Sequence, residues 1–90
     1  MTFTYPAVFA KNADGYTGYF PDLDGCTFSG DTLHDCIDDA IAAERAWIEV
    51  ELEEEAELPQ STYHSDIILK ENEFIRPVEV IIRLVDGWDE

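Results

Sequence analysis

The chain has 90 residues, 46% of them hydrophobic, and 21 acids against five bases give a formal net charge of −16. That is one domain, residues 1–90, with a small core that removes about 60–65% of the unfolded chain's surface from water. The charge repels nucleic-acid phosphates and anionic bilayers and attracts basic proteins and cations, which excludes direct nucleic-acid or membrane binding as the expected function; plain solubility is the simpler cause of the same charge.

No apolar run approaches the ~18 residues of a membrane span. The N-terminus, Met1-Thr2-Phe3-Thr4-Tyr5-Pro6, has neither the basic region nor the cleavage site of a signal peptide, so a cytoplasmic protein is expected. Phe3 to Ala10 alternates as a strand, with Phe3, Tyr5, Ala7 and Phe9 on one face. Pro6 removes one ladder donor and is expected to lack a partner on its N–H side. Lys11 to Gly15 is a hairpin loop in which Asp14-Gly15 accepts positive φ. Tyr16 to Phe20 returns antiparallel, with Gly18 marking a bulge or room for a neighbour. Pro21 to Gly25 is a turn and Cys26 to Ser29 a third strand.

A helix follows. Thr32 is its N-cap, with Asp35 three residues on in a capping-box-like arrangement. Leu33, Cys36, Ile37, Ala40, Ile41, Trp47, Ile48 and Leu52 recur at helical spacing. About 22 residues at 1.5 Å each give a helix of roughly 33 Å, enough to cross a small sheet. Its outward surface carries Asp35, Asp38, Asp39, Glu49, Glu53 and Glu54, and acids in the last turn oppose the helix dipole. Residues 57–64 read as a loop. Ser65 to Glu71 fits either a short helix or, through Ile67-Ile68-Leu69, a strand. Pro77 introduces a last strand, Val78 to Val85, with Val78, Val80, Ile82 and Leu84 on one face and Glu79, Ile81 and Arg83 on the other. The class is α+β: β-β-β-α-(short α)-β, a single sheet with one long helix on one face. A crossover helix also allows the last strand to lie parallel to an earlier one.

Tyr5-Pro6-Ala7-Val8-Phe9, Asp14-Gly15-Tyr16, Phe20-Pro21-Asp22-Leu23-Asp24-Gly25-Cys26 and Gly30-Asp31-Thr32-Leu33, in that order within residues 3–58, resemble the HicB family of antitoxins. The resemblance implies a partial ribonuclease-H-like fold, favours the short helix over the strand at residues 65–71, and implies a partner: a small basic toxin ribonuclease of the HicA type, whose catalytic histidine the antitoxin covers. Many members carry a C-terminal DNA-binding module. This chain stops at Glu90, so a stand-alone domain without operator binding is expected.

The residues themselves offer little chemistry. Asp14, Asp22, Asp24 and Asp31 sit at strand ends, where carboxylates could hold Mg²⁺ for phosphodiester hydrolysis. Turn and cap chemistry explains the same residues, and the five bases are too scattered to hold a polyanion. Ser29, His34 and Asp31 have no nucleophile-elbow context. Tyr16, Tyr19, Phe20 and Phe28 form no nucleic-acid platform without bases beside them. Cys26 and Cys36 with His34 and His64 lack zinc-ligand spacing and read as reduced core cysteines. No catalytic residue, metal or cofactor is expected. Asp22 and Asp24 at the corner, with Asp38 and Asp39 on the helix, are the expected partner contacts. Val78, Ile81, Val85 and Trp88 are the expected homodimer interface, along an exposed last strand. The competing reading is an orphan homo-oligomeric scaffold with no toxin.

Overall fold

The structure is a computed structural model that describes residues 2–62 and 64–82. Strands β1 (Thr2–Asn12), β2 (Gly15–Tyr19), β3 (Thr27–Gly30) and β4 (Glu73–Ile81) form one antiparallel sheet in the order β3-β2-β1-β4, and helix α1 (Leu33–Glu53) lies on one face. β1 is central, paired on both sides, and Tyr5 to Phe9 are buried without a break. Tyr5, Ala7 and Phe9 point under the helix, opposite Val78, Arg76 and Phe74 of β4. Phe9 stacks on Phe74 at 5.4 Å and tilts against Phe28 at 5.0 Å, which knits three strands through one ring. Gly18 is opposite both Phe9 and Phe28; a Cβ there would lie 2.2 Å from the Phe28 ring, so its absence makes room for that ring.

One expectation about β4 is corrected: it begins at Glu73 rather than after Pro77. Of the two directions open to it, it takes the antiparallel one beside β1. Pro77 is tolerated inside the strand because it faces Pro6. The Lys11 amide donates to the Asn72 carbonyl at 3.1 Å, and in that register the odd residues of β1 make the hydrogen-bonded pairs. Pro6 and Pro77 therefore face each other at a non-hydrogen-bonded pair, where the ladder needs neither missing donor. The antiparallel return follows from the route of the chain. Tyr5 donates its hydroxyl to the Pro59 carbonyl and Ser61 to Thr4, at the start of β1, whereas Asn72 meets Lys11 at its end. The chain has walked the length of β1 and must come back along it. Within this connection, residues 64–66 form a single 3₁₀ turn; Ile68 is 93% exposed, so the apolar run at 67–69 builds neither core helix nor strand. In the β1–β2 hairpin only Gly15 takes positive φ, and Asp14 does not.

The helix starts as its sequence dictates. Thr32 accepts the Asp35 amide at 3.1 Å through its hydroxyl and the Cys36 amide at 2.9 Å through its carbonyl. It ends in a Schellman arrangement, Ala56 amide to Glu51 carbonyl and Glu55 amide to Leu52 carbonyl. Glu55 holds the left-handed position (φ 56°) that glycine usually fills. The innermost row of α1 is Cys36, Ala40, Glu44 and Ile48, four apart, rather than the one through Ile37 and Ile41, which are only half-buried. Phe9, Phe20, Phe28, Ile48, Val80 and Ile82 are buried as expected, and Trp47 packs on the core from its margin. Ile48→Ala is expected to lower unfolding free energy by about 2–5 kcal/mol and Ile41→Ala by clearly less; urea denaturation of the two variants checks the order, and the reverse ranking contradicts the row assignment.

Candidate partner-binding site

Residues 20–26 turn the chain from β2 into β3. The corner is closed by the Phe20 amide on the Cys26 carbonyl, the Leu23 amide on Phe20 and the Cys26 amide on Leu23. Leu23, an apolar residue among turn formers, drives inward to 1% exposure and anchors the corner in the core. Two further ties hold it from outside. The Trp47 indole N–H donates to the Asp24 carbonyl at 2.9 Å, and the Asp22 carboxylate accepts both the Thr62 amide (2.8 Å) and the Thr62 hydroxyl. Corner, helix and the 59–62 segment are thus one stapled unit.

This divides the four acids expected to meet a partner. Asp22 is partly buried and spends its carboxylate on Thr62. Asp39 accepts the Ser29 amide at 3.0 Å, capping a donor of β3, the strand at one edge of the sheet. Asp24 is exposed and its only described tie is through its backbone. Asp38 is exposed too, its side chain at 64%, with His34 one turn before it at 3.4 Å. Asp24 and Asp38 are therefore the two whose charge faces solvent unspent, beside Asp35, Glu49, Glu53 and Glu54 on the same outward helix surface. For the C-terminal strand, Val78 lies in the core opposite Tyr5, since alternation puts it on the helix side, while Ile81 is 56% exposed on the other. Val85 and Trp88 lie outside the described residues.

The carboxylates considered for metal chemistry separate as well. Asp14 and Asp31 line a shallow groove at the hairpin end of β2, with Asn12 and Tyr16, whereas Asp22 and Asp24 sit at the corner end. Among the described residues no three His, Cys, Asp or Glu side chains gather around one point. Cys26 and Cys36 are buried free thiols. Burial, aided by Glu44, pushes the Cys26 thiol up to about 11, and burial with Asp39 raises Cys36, so both are inert nucleophiles at neutral pH. Sequence reasoning missed the Leu23 anchor, the Asp22–Thr62 staple and Glu44, a carboxyl with 0% exposure in the innermost helix row. For Glu44 the signal was present: it falls four after Ala40 and four before Ile48.

A small α+β domain with a rigid acidic corner and one strongly acidic helix face is the class these features define. The family described as HicB-like antitoxin of bacterial toxin–antitoxin systems matches residues 5–86, and the chain belongs to it. A relative, an uncharacterized 14.9 kDa protein of the rep-hol intergenic region of Haemophilus phage HP1, strain HP1c1, is 42% identical over 57 residues, 63% of this chain and 43% of that protein. This chain thus matches less than half the length of that relative. A solved HicA3 and HicB3 toxin–antitoxin complex contains a chain 33% identical, with a TM-score of 0.67 over 83% of this chain and 94% of that one. A toxin–antitoxin complex from Streptococcus pneumoniae shares the fold at 21% identity, with a TM-score of 0.81 over 90% of this chain and 70% of that one.

Asp22→Ala is expected to cost about 1–3 kcal/mol of stability, because it leaves the Thr62 donors without their charged acceptor. Asp24→Ala is expected to stay within about 0.5 kcal/mol of the parent. Thermal unfolding of both at neutral pH measures the contrast, and equal midpoints would contradict the staple.

Proposed function

We propose that this protein is an antitoxin that binds a small, basic HicA-type toxin ribonuclease in the cytoplasm and neutralises it by covering its active site, without chemistry of its own. The observation that carries this reading is the match to the HicB-like family over nearly the whole chain, joined to an acidic surface whose charges are not all used by the fold. Asp24 and Asp38 are the proposed contacts from the original four, together with Glu49 and the acids around it. Asp22 and Asp39 serve the contact indirectly, by holding the corner and the β3 edge in place. Opposite fields speed encounter and reject acidic competitors, so the partner's basic face is recognised before close packing begins. Masking needs a stiff surface rather than a catalytic centre, and the separation of Asp14 and Asp31 from Asp22 and Asp24 fits that role.

The test is to titrate the protein into a cognate toxin while following RNA cleavage. Inhibition to completion at stoichiometric amounts is expected, with association slowed by salt. The Asp24→Lys/Asp38→Lys protein should remain folded and associate at least several-fold more slowly. Undiminished cleavage at saturating antitoxin overturns the reading and leaves the orphan scaffold. Chelator-sensitive RNA cleavage by this chain alone would replace it with a nuclease.

Self-association is a companion reading favoured by one observation, the 56% exposure of Ile81 at the end of an edge strand. Val78 cannot take part without leaving the core, so the proposed contact is Ile81 with the residues that follow it, Val85 and Trp88 included. Sedimentation at ~100 μM, well above the μM constants of ordinary weak dimers, is expected to show a dimer that Ile81→Lys disrupts. A monomer at that concentration contradicts it.

A further inference from the structure

Glu44 is a feature of the core that the proposed masking does not use. It projects from the middle of α1 into the interior with 0% exposure, and neither carboxyl oxygen has a hydrogen-bond partner among the described residues. Its helix neighbours one turn away are Ala40, Ile41, Trp47 and Ile48, all apolar. From β1 it faces the Tyr5 hydroxyl, which is committed to the Pro59 carbonyl. At the corner its charge acts on the Cys26 thiol, and Asp22 acts with it on the Tyr5 hydroxyl. Each of these is neutral or acidic. No described Lys or Arg pairs with Glu44, and Arg45, next in sequence, is exposed.

A carboxylate in that setting would be stripped of water with nothing in exchange, whereas a carboxylic acid loses far less on burial. We propose that Glu44 is a proton-binding site that makes the stability of the domain conditional on pH: the folded core takes up one proton at this carboxyl, and unfolding releases it. The burial that forbids ionisation pushes the group up to about 8 from its ordinary 4.5. The direction of the linkage follows. Below about 4.5 the acid is protonated in both states and exacts no penalty. Between about 4.5 and 8 only the unfolded chain ionises, so stability falls as pH rises. Above about 8 both states are ionised and the loss levels off. Cys26 and Tyr5, both raised in part by the Glu44 charge, titrate above this window and do not blur it.

One released proton changes the folding equilibrium by up to about tenfold per pH unit, so across this window the domain surrenders about three powers of ten. The cytoplasmic range falls on the slope. Alkalinisation therefore weakens the fold. The proton site itself stands on the core alone.

The experiment is urea unfolding of the parent and Glu44→Gln from pH 5 to 8. The amide has the size of the acid but cannot ionise, and the other acids contribute equally to both proteins. The ratio of their unfolding constants should therefore change by about a hundredfold or more across that range, with the parent losing ground as pH rises. A ratio that stays flat overturns the proposal. Should the glutamine variant fail to fold, carboxyl carbon NMR of the parent decides: a Glu44 midpoint between 7 and 9 supports the site, and one between 4 and 5 overturns it. Neither measurement involves a toxin, so failure of the proton site is distinguishable from failure of the antitoxin reading.

Discussion

The close approach of helix α1 to the end of β3 is the contact on which the rest of the fold depends. A Cβ on Gly30 would lie 2.3 Å from the Cys36 amide nitrogen, so any side chain there would push the first helical turn off the sheet. With only hydrogen at Gly30, the Thr32 cap can close directly behind the strand, and the helix leaves at an angle that lays Cys36 and Ala40 against the core. Small residues stand where helix and sheet meet most closely, and Ile48 fills the deeper space farther along. The helix consequently rides chiefly over β3, the edge strand, and reaches β2 and β4 as it crosses the sheet.

That seating controls the β3 edge of the sheet and the corner. It carries Asp39 to the Ser29 amide, closing part of the β3 edge to another strand. It also brings the Trp47 indole to the Asp24 carbonyl, so the corner bearing the exposed acids is braced by the helix whose outward face continues the acidic surface. The opposite edge has its own device. In the β4 register Pro77 occupies a position whose N–H would otherwise point outward, and its ring interrupts any added strand at the middle of β4. Strand addition is thus hindered at both edges, which leaves faces and corners as the open surface.

The acids of this chain fall into three physical kinds that composition cannot separate. Asp22 and Asp39 accept backbone or hydroxyl donors and act as structural ties. Asp24 and Asp38 project into solvent, where screening makes them worth little to stability and leaves their field available to a basic partner. Glu44 is buried with no hydrogen-bond partner among the described residues, a position that weakens the fold when charged. A net charge of −16 describes all three equally and explains none of them.

Local chemistry was readable along the chain: the Thr32 cap, the Asp14-Gly15 hairpin, the first strand and the helix depend on neighbours within a few residues, and each element is present. The ordered motifs were enough to indicate the family, because they mark turns and caps whose spacing sets the topology of the first three strands and the helix. Tertiary structure decided what depends on residues far apart. Pro77 could enter a strand only because Pro6 stands opposite, and Asp22 became a staple only because Thr62, forty residues later, reaches it. β4 turned antiparallel because the connection walks the length of β1 before pairing. Within the helical stripe the inner row is Cys36, Ala40, Glu44 and Ile48, and Ile37 and Ile41 lie at its margin, because Gly30 admits the helix so close that only small side chains fit beneath its first turns. A periodic pattern identifies a stripe of the helix, and the distance of approach selects which row of that stripe is innermost.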